Sequence, residues 1–189
     1  LGIGVKLHDL KDEFCMFVMA YEKYVKNDTN AHVTISSWKR IDDNVIPARG
    51  KVAGAYVNSA LIKTDAMRSG FDEALVLDNN GHISEGSAMN IFMLRDGVLV
   101  TPPVTDNILE GISRRSVIEL ARNELGLEVR ERSIDRTEVF IAEEIFMTGT
   151  AAQITAVTKV DHRPVGAGVM GPVTTKLREM YENILRGKN

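Results

Sequence analysis

A chain of 189 residues, 44% hydrophobic and 26% charged, has the length and core content of one large domain, or of one domain with a fragment of another. Its net charge of -3, with no cluster of lysine and arginine, excludes the footprint of a nucleic-acid or anionic-membrane binder, and no apolar run reads as a leader or a membrane span. The one cysteine, Cys15, excludes disulfides within the chain and points to a reducing, cytoplasmic setting.

Residues 1–20 read as the end of a sheet, with "FCMFVMA" (14–20) a short buried strand. "YEKYVKNDTNA" (21–31) is polar and is the best linker candidate. "HVTISSW" (32–38) alternates like a strand. From Gly54 to Arg68 apolar residues recur at helical spacing, and Tyr56, Val57, Ala60, Leu61, Thr64 and Met67 form the expected buried face. Two hairpins follow, "EALVLD" with "HISEG" across Asn-Asn-Gly, and "NIFML" with "VLVT" across Arg-Asp-Gly. "TPPVTDNILEGIS" reads as a loop and "RRSVIELARNELG" as a helix ending on Gly126. A strand "LEVRERS", a short helix "DRTEVFIAEE" and two strands around "TGTAAQI" come next. "GPVTTKLREMYENILRG" closes the chain as an amphipathic helix with Pro172 in its first turn. Helices mixed with hairpins make this an α+β chain.

Four positions carry possible chemistry. Lys51 sits among small residues in "IPARGKVAGAY". Most lysines in loops are solvated, but one partly withdrawn from water can serve as a Schiff-base amine. Glu85, in "ISEGSAMNIF", is either a turn carboxylate or a group aimed at a ring nitrogen, keeping it protonated. Gly111, Ile112 and Ser113 open a helix, where free N–H groups and the positive end of the dipole can seat a phosphate, although a serine cap is common at any helix start. Thr150, in "TGTAAQI", offers a second anion turn. Each alone is weak. Together they describe a site for a phosphorylated aromatic aldehyde.

The stretches "SSWKR", "IPARGKVAGAYVNS", "DNNGHISEGSAMNIF", "DGVLVTPP", "ILEGISR" and "FMTGTAAQITAV" occur in the order and spacing of the branched-chain aminotransferases, class IV enzymes that use pyridoxal 5'-phosphate. The chain resembles them from about Gly2 to Met180. The resemblance implies a large domain of the D-amino acid aminotransferase-like fold (fold type IV), a strand pseudo-barrel surrounded by helices. It makes Lys51 the Schiff-base lysine, Tyr56 the partner of the cofactor's phenolic oxygen, and Glu85 the partner of the ring nitrogen. It also makes Asn90 a support beside Glu85 and Leu109 the residue packed on the ring. Gly111, Ile112, Ser113 and Thr150 become the phosphate seat, and Ala151 and Ala152 the turn that holds the substrate carboxylate, with Tyr56 and Thr150 also facing substrate.

"KVAGAY" favours this family over D-amino acid aminotransferases and aminodeoxychorismate lyases of the same fold, although Ala55 stands where bacterial members often have asparagine. The implied reaction moves the amino group of L-leucine, L-isoleucine or L-valine to 2-oxoglutarate, in a homodimer or larger homo-oligomer. The alternatives are one of those two activities, or an inactive fragment that binds cofactor. Residues 1–25 are expected to be a remnant of the family's small N-terminal domain, 26–31 the linker and 32–189 the large domain. Because the chain starts in mid-motif and no arginine before Lys51 matches the small domain's phosphate ligand, about 100 further residues are expected upstream.

Overall fold

The computed structural model describes residues 4–20 and 23–188, so Leu1 to Ile3 of the expected remnant, Tyr21 and Glu22 of the linker candidate and Asn189 lie outside the described residues. One mixed ten-stranded sheet organises the rest. Its strands are β1 (Ala31–Lys39), β2 (Glu73–Leu77), β3 (His82–Gly86), β4 (Asn90–Arg95), β5 (Val98–Thr101), β6 (Val129–Glu131), β7 (Ile134–Asp135), β8 (Glu144–Gly149), β9 (Gln153–Val160) and β10 (Arg163–Pro164). The spatial order is β6-β5-β4-β8-β9-β1-β2-β3-β7, with β10 beside β9. β1 runs parallel to both β2 and β9, whereas both expected hairpins, β2–β3 and β4–β5, are antiparallel. The sheet curls into a half-barrel flanked by α1 (Tyr56–Arg68), α2 (Ile112–Asn123) and α3 (Pro172–Leu185).

Period-two alternation places the core on both faces of this sheet. On β4, Ile91 and Met93 join an inner cluster with Leu75, Ile83, Ile145 and Met147. Phe92 between them points the other way, stacks on Phe146 at 5.0 Å and packs with Val117, Ile118 and Leu177 of the covering helices. Burial on both faces is why these strands read as nearly continuous apolar runs. A smaller cluster seats Ile62 and Ala66 of α1 against Ala74 and Val76 of β2. α3 is fixed from β8: the buried Glu144 carboxylate accepts the N–H groups of Val173 at 3.0 Å and Thr174 at 2.7 Å. A side chain on Gly171 would collide with that carboxylate. The cap is therefore supplied from across the fold, with no local sequence signal.

Three expectations fail. The buried face of α1 is Ser59, Ile62 and Ala66, while Val57, Leu61 and Met67 are exposed. Apolar residues lie on both sides of this helix, so periodicity cannot choose between them; the small Ala66 and Ser59 permit close approach to β2. The "FCMFVMA" run forms no strand, and Phe14, Met16, Phe17, Val18 and Met19 are exposed, because among the described residues no neighbouring element covers them. "DRTEVFIAEE" yields only one 3-10 turn, Glu138–Phe140, since Asp135, a ladder residue of β7, already occupies its start.

Candidate active site

A cleft of about 320 Å³ opens where β3 ends, β4 begins and β8 ends. Glu85 enters it from β3, Asn90 and Thr148 from paired positions of β4 and β8, and Gly111 to Ser113 from the start of α2. Lys51 and Tyr56 line it from the segment that leads into α1, and Leu109 and Thr150 complete the wall. The chain thus brings together, from five separate segments, nine of the eleven residues singled out above. The two that do not line the cleft are Ala151, which is exposed, and Ala152, which is buried beneath the β8–β9 turn.

Glu85 is 3% exposed and fully engaged. Arg40 donates from Nη2 to its Oε1 at 2.8 Å. The N–H of Leu109 and Nδ2 of Asn90 reach Oε2 at 3.1 and 3.3 Å. Asn90 also donates to the Leu109 carbonyl at 2.8 Å, so one amide fixes both the carboxylate and the backbone that faces it. Gly111 must lack a side chain because a Cβ there would strike Asn90 Oδ1. Burial pushes the Glu85 carboxyl up, to about 7, even though Arg40, the Leu109 N–H and Lys51 all act in the opposite direction. A carboxyl poised there can hold or release a proton near neutral pH.

The start of α2 has the form of an anion seat. Gly111 precedes it in an extended conformation, and no side chain caps the first N–H groups. Ser113 lies deep, its hydroxyl 2.7 Å from that of Tyr181 on α3. Thr148 is fully buried, and its Oγ1 has no hydrogen-bond partner. An orphaned hydroxyl in the wall of a polar cleft is suited to an acceptor on a bound group. Lys51 was expected to be partly withdrawn from water. It is instead exposed at the rim, with Nζ 5.7 Å from the centre of the Tyr56 ring. An amine, an uncapped helix start and a buried carboxylate around one cleft fit a group that carries a carbonyl, a phosphate and a ring nitrogen.

Sequence reasoning missed two members. Arg40 follows β1, outside the strand's alternation, and only the fold carries it to Glu85; the sole trace is its place in "SSWKR". Thr148 was legible in principle, since it pairs with Asn90 across the β4–β8 ladder. That pairing joins elements distant in sequence, so no turn motif announces it.

The family model for amino-transferase class IV matches residues 3–160. A probable branched-chain-amino-acid aminotransferase of Aquifex aeolicus is 48% identical over 188 residues, all of this chain and 60% of the relative. The crystal structure of the Escherichia coli branched-chain amino acid aminotransferase superposes with a TM-score of 0.87 at 41% identity, covering 90% of this chain and 57% of that one. The holo-form of the Thermobaculum terrenum branched-chain amino acid aminotransferase gives 0.84 at 41% identity, covering 89% and 55%. The chain spans about 60% of the Aquifex relative and little more than half of the two solved chains. Class IV aminotransferases use pyridoxal phosphate, and solved neighbours of this fold include holo and pyridoxamine 5'-phosphate forms. With a match over most of its length and a half-barrel of the same architecture, this chain belongs to the class IV aminotransferases.

Proposed function

We propose that the chain is the cofactor-binding part of a branched-chain-amino-acid transaminase, moving the amino group of L-leucine, L-isoleucine or L-valine to 2-oxoglutarate. The observation that carries this is Glu85: a buried carboxylate, held by Arg40, Asn90 and the Leu109 N–H, facing the same cleft as Lys51.

Pyridoxal phosphate, when bound, supplies an electron-accepting ring that stabilises negative charge at the amino acid's Cα. The chain supplies the rest. The uncapped N–H groups of Ile112 and Ser113, with Gly111 giving clearance and Thr150 adding a hydroxyl, hold the phosphate. Leu109 packs on the ring, and Tyr56 donates to its phenolic oxygen. Glu85 holds a proton on the ring nitrogen, and Arg40 keeps that carboxylate anionic while it does so. Lys51 would hold the cofactor's carbonyl carbon through its amine, and that amine is placed to take the proton from the substrate's Cα and return it, as base and then acid. The turn at Ala151 and Ala152 holds the substrate carboxylate through backbone N–H groups; its position beside Thr150 supports this, although neither alanine lines the cleft.

The donor and acceptor are handled alternately at one site, which gives ping-pong kinetics. The same reading places the protein in the cytoplasm as a homodimer or larger homo-oligomer, with small-molecule substrates. Among the described residues no helix is long and apolar enough to cross a membrane. It also divides the chain at 1–25, 26–31 and 32–189. Asp28 already docks on Arg178 of α3 at 2.9 Å, so the proposed linker rests on the larger body.

Borohydride reduction of the full chain with its cofactor, followed by peptide mapping, tests the central assignment. The label is expected on Lys51, and label on Lys63 or Lys6 overturns it. Amination of 2-oxoglutarate by L-leucine but not by D-amino acids is the expected specificity; the reverse preference would reassign the activity within the fold.

A further inference from the structure

We propose that the chain carries a divalent-cation site, apart from the cleft, formed by Asp78, His82 and Asp106. One ligand atom from each lies within 4.8 Å of the other two. None of the three lines the cleft, and no step of the transamination uses them.

The site is built rather than merely acidic. Asp78 directly follows β2, and its Oδ1 accepts the N–H groups of Asn80 and His82, each at 2.9 Å. That fixes the carboxylate; its Oδ2 accepts the Asn80 side-chain amide at 3.5 Å and lies 3.9 Å from His82 Nδ1. Asp106 arrives from the loop between β5 and α2. Its N–H donates to the Pro103 carbonyl at 3.0 Å, and its own carbonyl accepts the Ser84 hydroxyl at 2.6 Å. Asp78 is 2% exposed and Asp106 7% exposed. The second observation concerns Asp106 itself. Its Oδ2 is buried and receives no hydrogen bond. Among the described residues no lysine or arginine pairs with either carboxylate. Two buried carboxylates this close, one with an orphaned oxygen, favour a cation between them.

Ligand distances of roughly 2.0–2.4 Å to a central ion allow its ligands to lie up to about 4.8 Å apart. Two carboxylates with one imidazole suit a first-row ion such as Mn²⁺ or Zn²⁺ better than Ca²⁺ or Mg²⁺, which prefer oxygen alone. Asp135 supports this chemistry, since its Oδ1 lies 3.5 Å from His82 Nε2. Asp135 stands on the Nε2 side of the ring, which leaves Nδ1 as the nitrogen that faces Asp78. The bound ion ties the β2–β3 turn to the loop that precedes α2. Those elements carry Glu85 and Leu109, so the cation stiffens the pair that faces the ring nitrogen.

The test reads metal rather than turnover, and its outcome is independent of the transaminase assignment. The full chain is stripped with a chelator and titrated with MnCl₂, followed by calorimetry, electron paramagnetic resonance and thermal melting. One Mn²⁺ per chain and a raised melting temperature are expected. D106N and H82Q should each weaken binding at least tenfold, and stripped D106N should melt no lower than the stripped parent, because it has lost a buried unpaired charge. If D106N does not fold, H82Q, changed at a half-exposed position, decides alone. Absence of stoichiometric Mn²⁺ and Zn²⁺ binding, or binding that survives both substitutions, overturns the proposal. So does a stripped chain whose melting depends on protonation of His82 and not on metal, since a shared proton would then fill the gap.

Discussion

Glu85 and Glu138 are both held by arginine, yet their carboxyls move in opposite directions. Glu138 sits in the turn after β7, where both guanidinium nitrogens of Arg132 reach its two oxygens at 2.7 and 2.9 Å. Arg95 and the N–H of Asp135 bind it as well. These donors, Arg132 first, hold it down to about 2. Glu85 has one arginine, one backbone N–H and one amide, in a place sealed from water, and burial pushes it up to about 7. A salt bridge therefore does not by itself fix a charge. The corner at Glu138 has donors to spare and partial access to solvent, and it acts as structure. In the cleft, burial outweighs the donors that Glu85 has, leaving a carboxyl that can share a proton with something it faces.

Removing Arg40 should have the largest effect on this contrast. Arg40→Met leaves Glu85 buried with no cation, and breaking one side of a buried pair costs about 3–5 kcal/mol. The loss should be full at pH 8 and much smaller at pH 5.5, where Glu85 in the variant is protonated. Urea unfolding of the cofactor-free chain at the two pH values measures it. Equal losses at both would mean that Arg40 acts by packing and not by charge.

Glu85→Gln is next. A folded pKa of about 7 lies above the ordinary value of 4.5, so the native state binds the extra proton between those limits. The contribution of Glu85 to stability is then complete below pH 4.5 and is lost as pH rises through 7. The change is on the order of 3 kcal/mol. The glutamine variant should lose that pH slope while still binding cofactor. Its turnover should fall by roughly 10² to 10³, because a neutral amide cannot keep the ring nitrogen protonated. A variant with the parental slope and near-normal turnover would remove Glu85 from its role.

Much of this site was legible because the residues that line the cleft occur in short stretches of fixed order. Lys51, Glu85 and the Gly111–Ser113 helix start could each be read as ordinary alone, and only their order in the chain gave them meaning. The hairpins were equally plain, since Asn-Asn-Gly and Arg-Asp-Gly set them locally, and Gly81 and Gly97 do adopt positive φ. Arg40, Thr148 and the Glu144 cap were not legible, because each acts on a partner from a distant element that only the closed sheet brings near. α1 failed for a different reason. With apolar residues on both faces, the helix has no pattern strong enough to tell the side packed on β2 from the side with Val57, Leu61 and Met67.

Glu138→Gln should act oppositely to Glu85→Gln and more weakly. Its folded pKa of about 2 lies below the ordinary 4.5, so its contribution is present above pH 4.5 and is lost as pH falls through 2. Solvent access to the Arg132 and Arg95 side chains reduces the value to about 1–2 kcal/mol. Acid titration of unfolding, parent against variant, should show curves separated at pH 6 that converge near pH 2. Separation that persists at pH 2 would assign the effect to the geometry of the turn.

The smallest effect belongs to Thr148, and its sign is the informative part. Thr148→Val keeps the shape of a fully buried side chain and deletes a hydroxyl that has no partner. If the hydroxyl is idle, the exchange should be neutral to stabilising, by up to about 1 kcal/mol, because an unsatisfied polar atom leaves the interior. If the hydroxyl awaits a bound group, the same valine should bind pyridoxal phosphate several-fold more weakly, although it melts as well as the parent or better without it. Melting of the cofactor-free chain and a pyridoxal phosphate titration by absorbance, run on the same preparation, separate the two. Gain of stability with loss of affinity is expected, because a buried hydroxyl short of partners is completed by what the cleft binds. Loss of stability without cofactor would instead mean that Thr148 already has a partner, and the cleft wall at β8 would then be a structural element like the Glu138 corner.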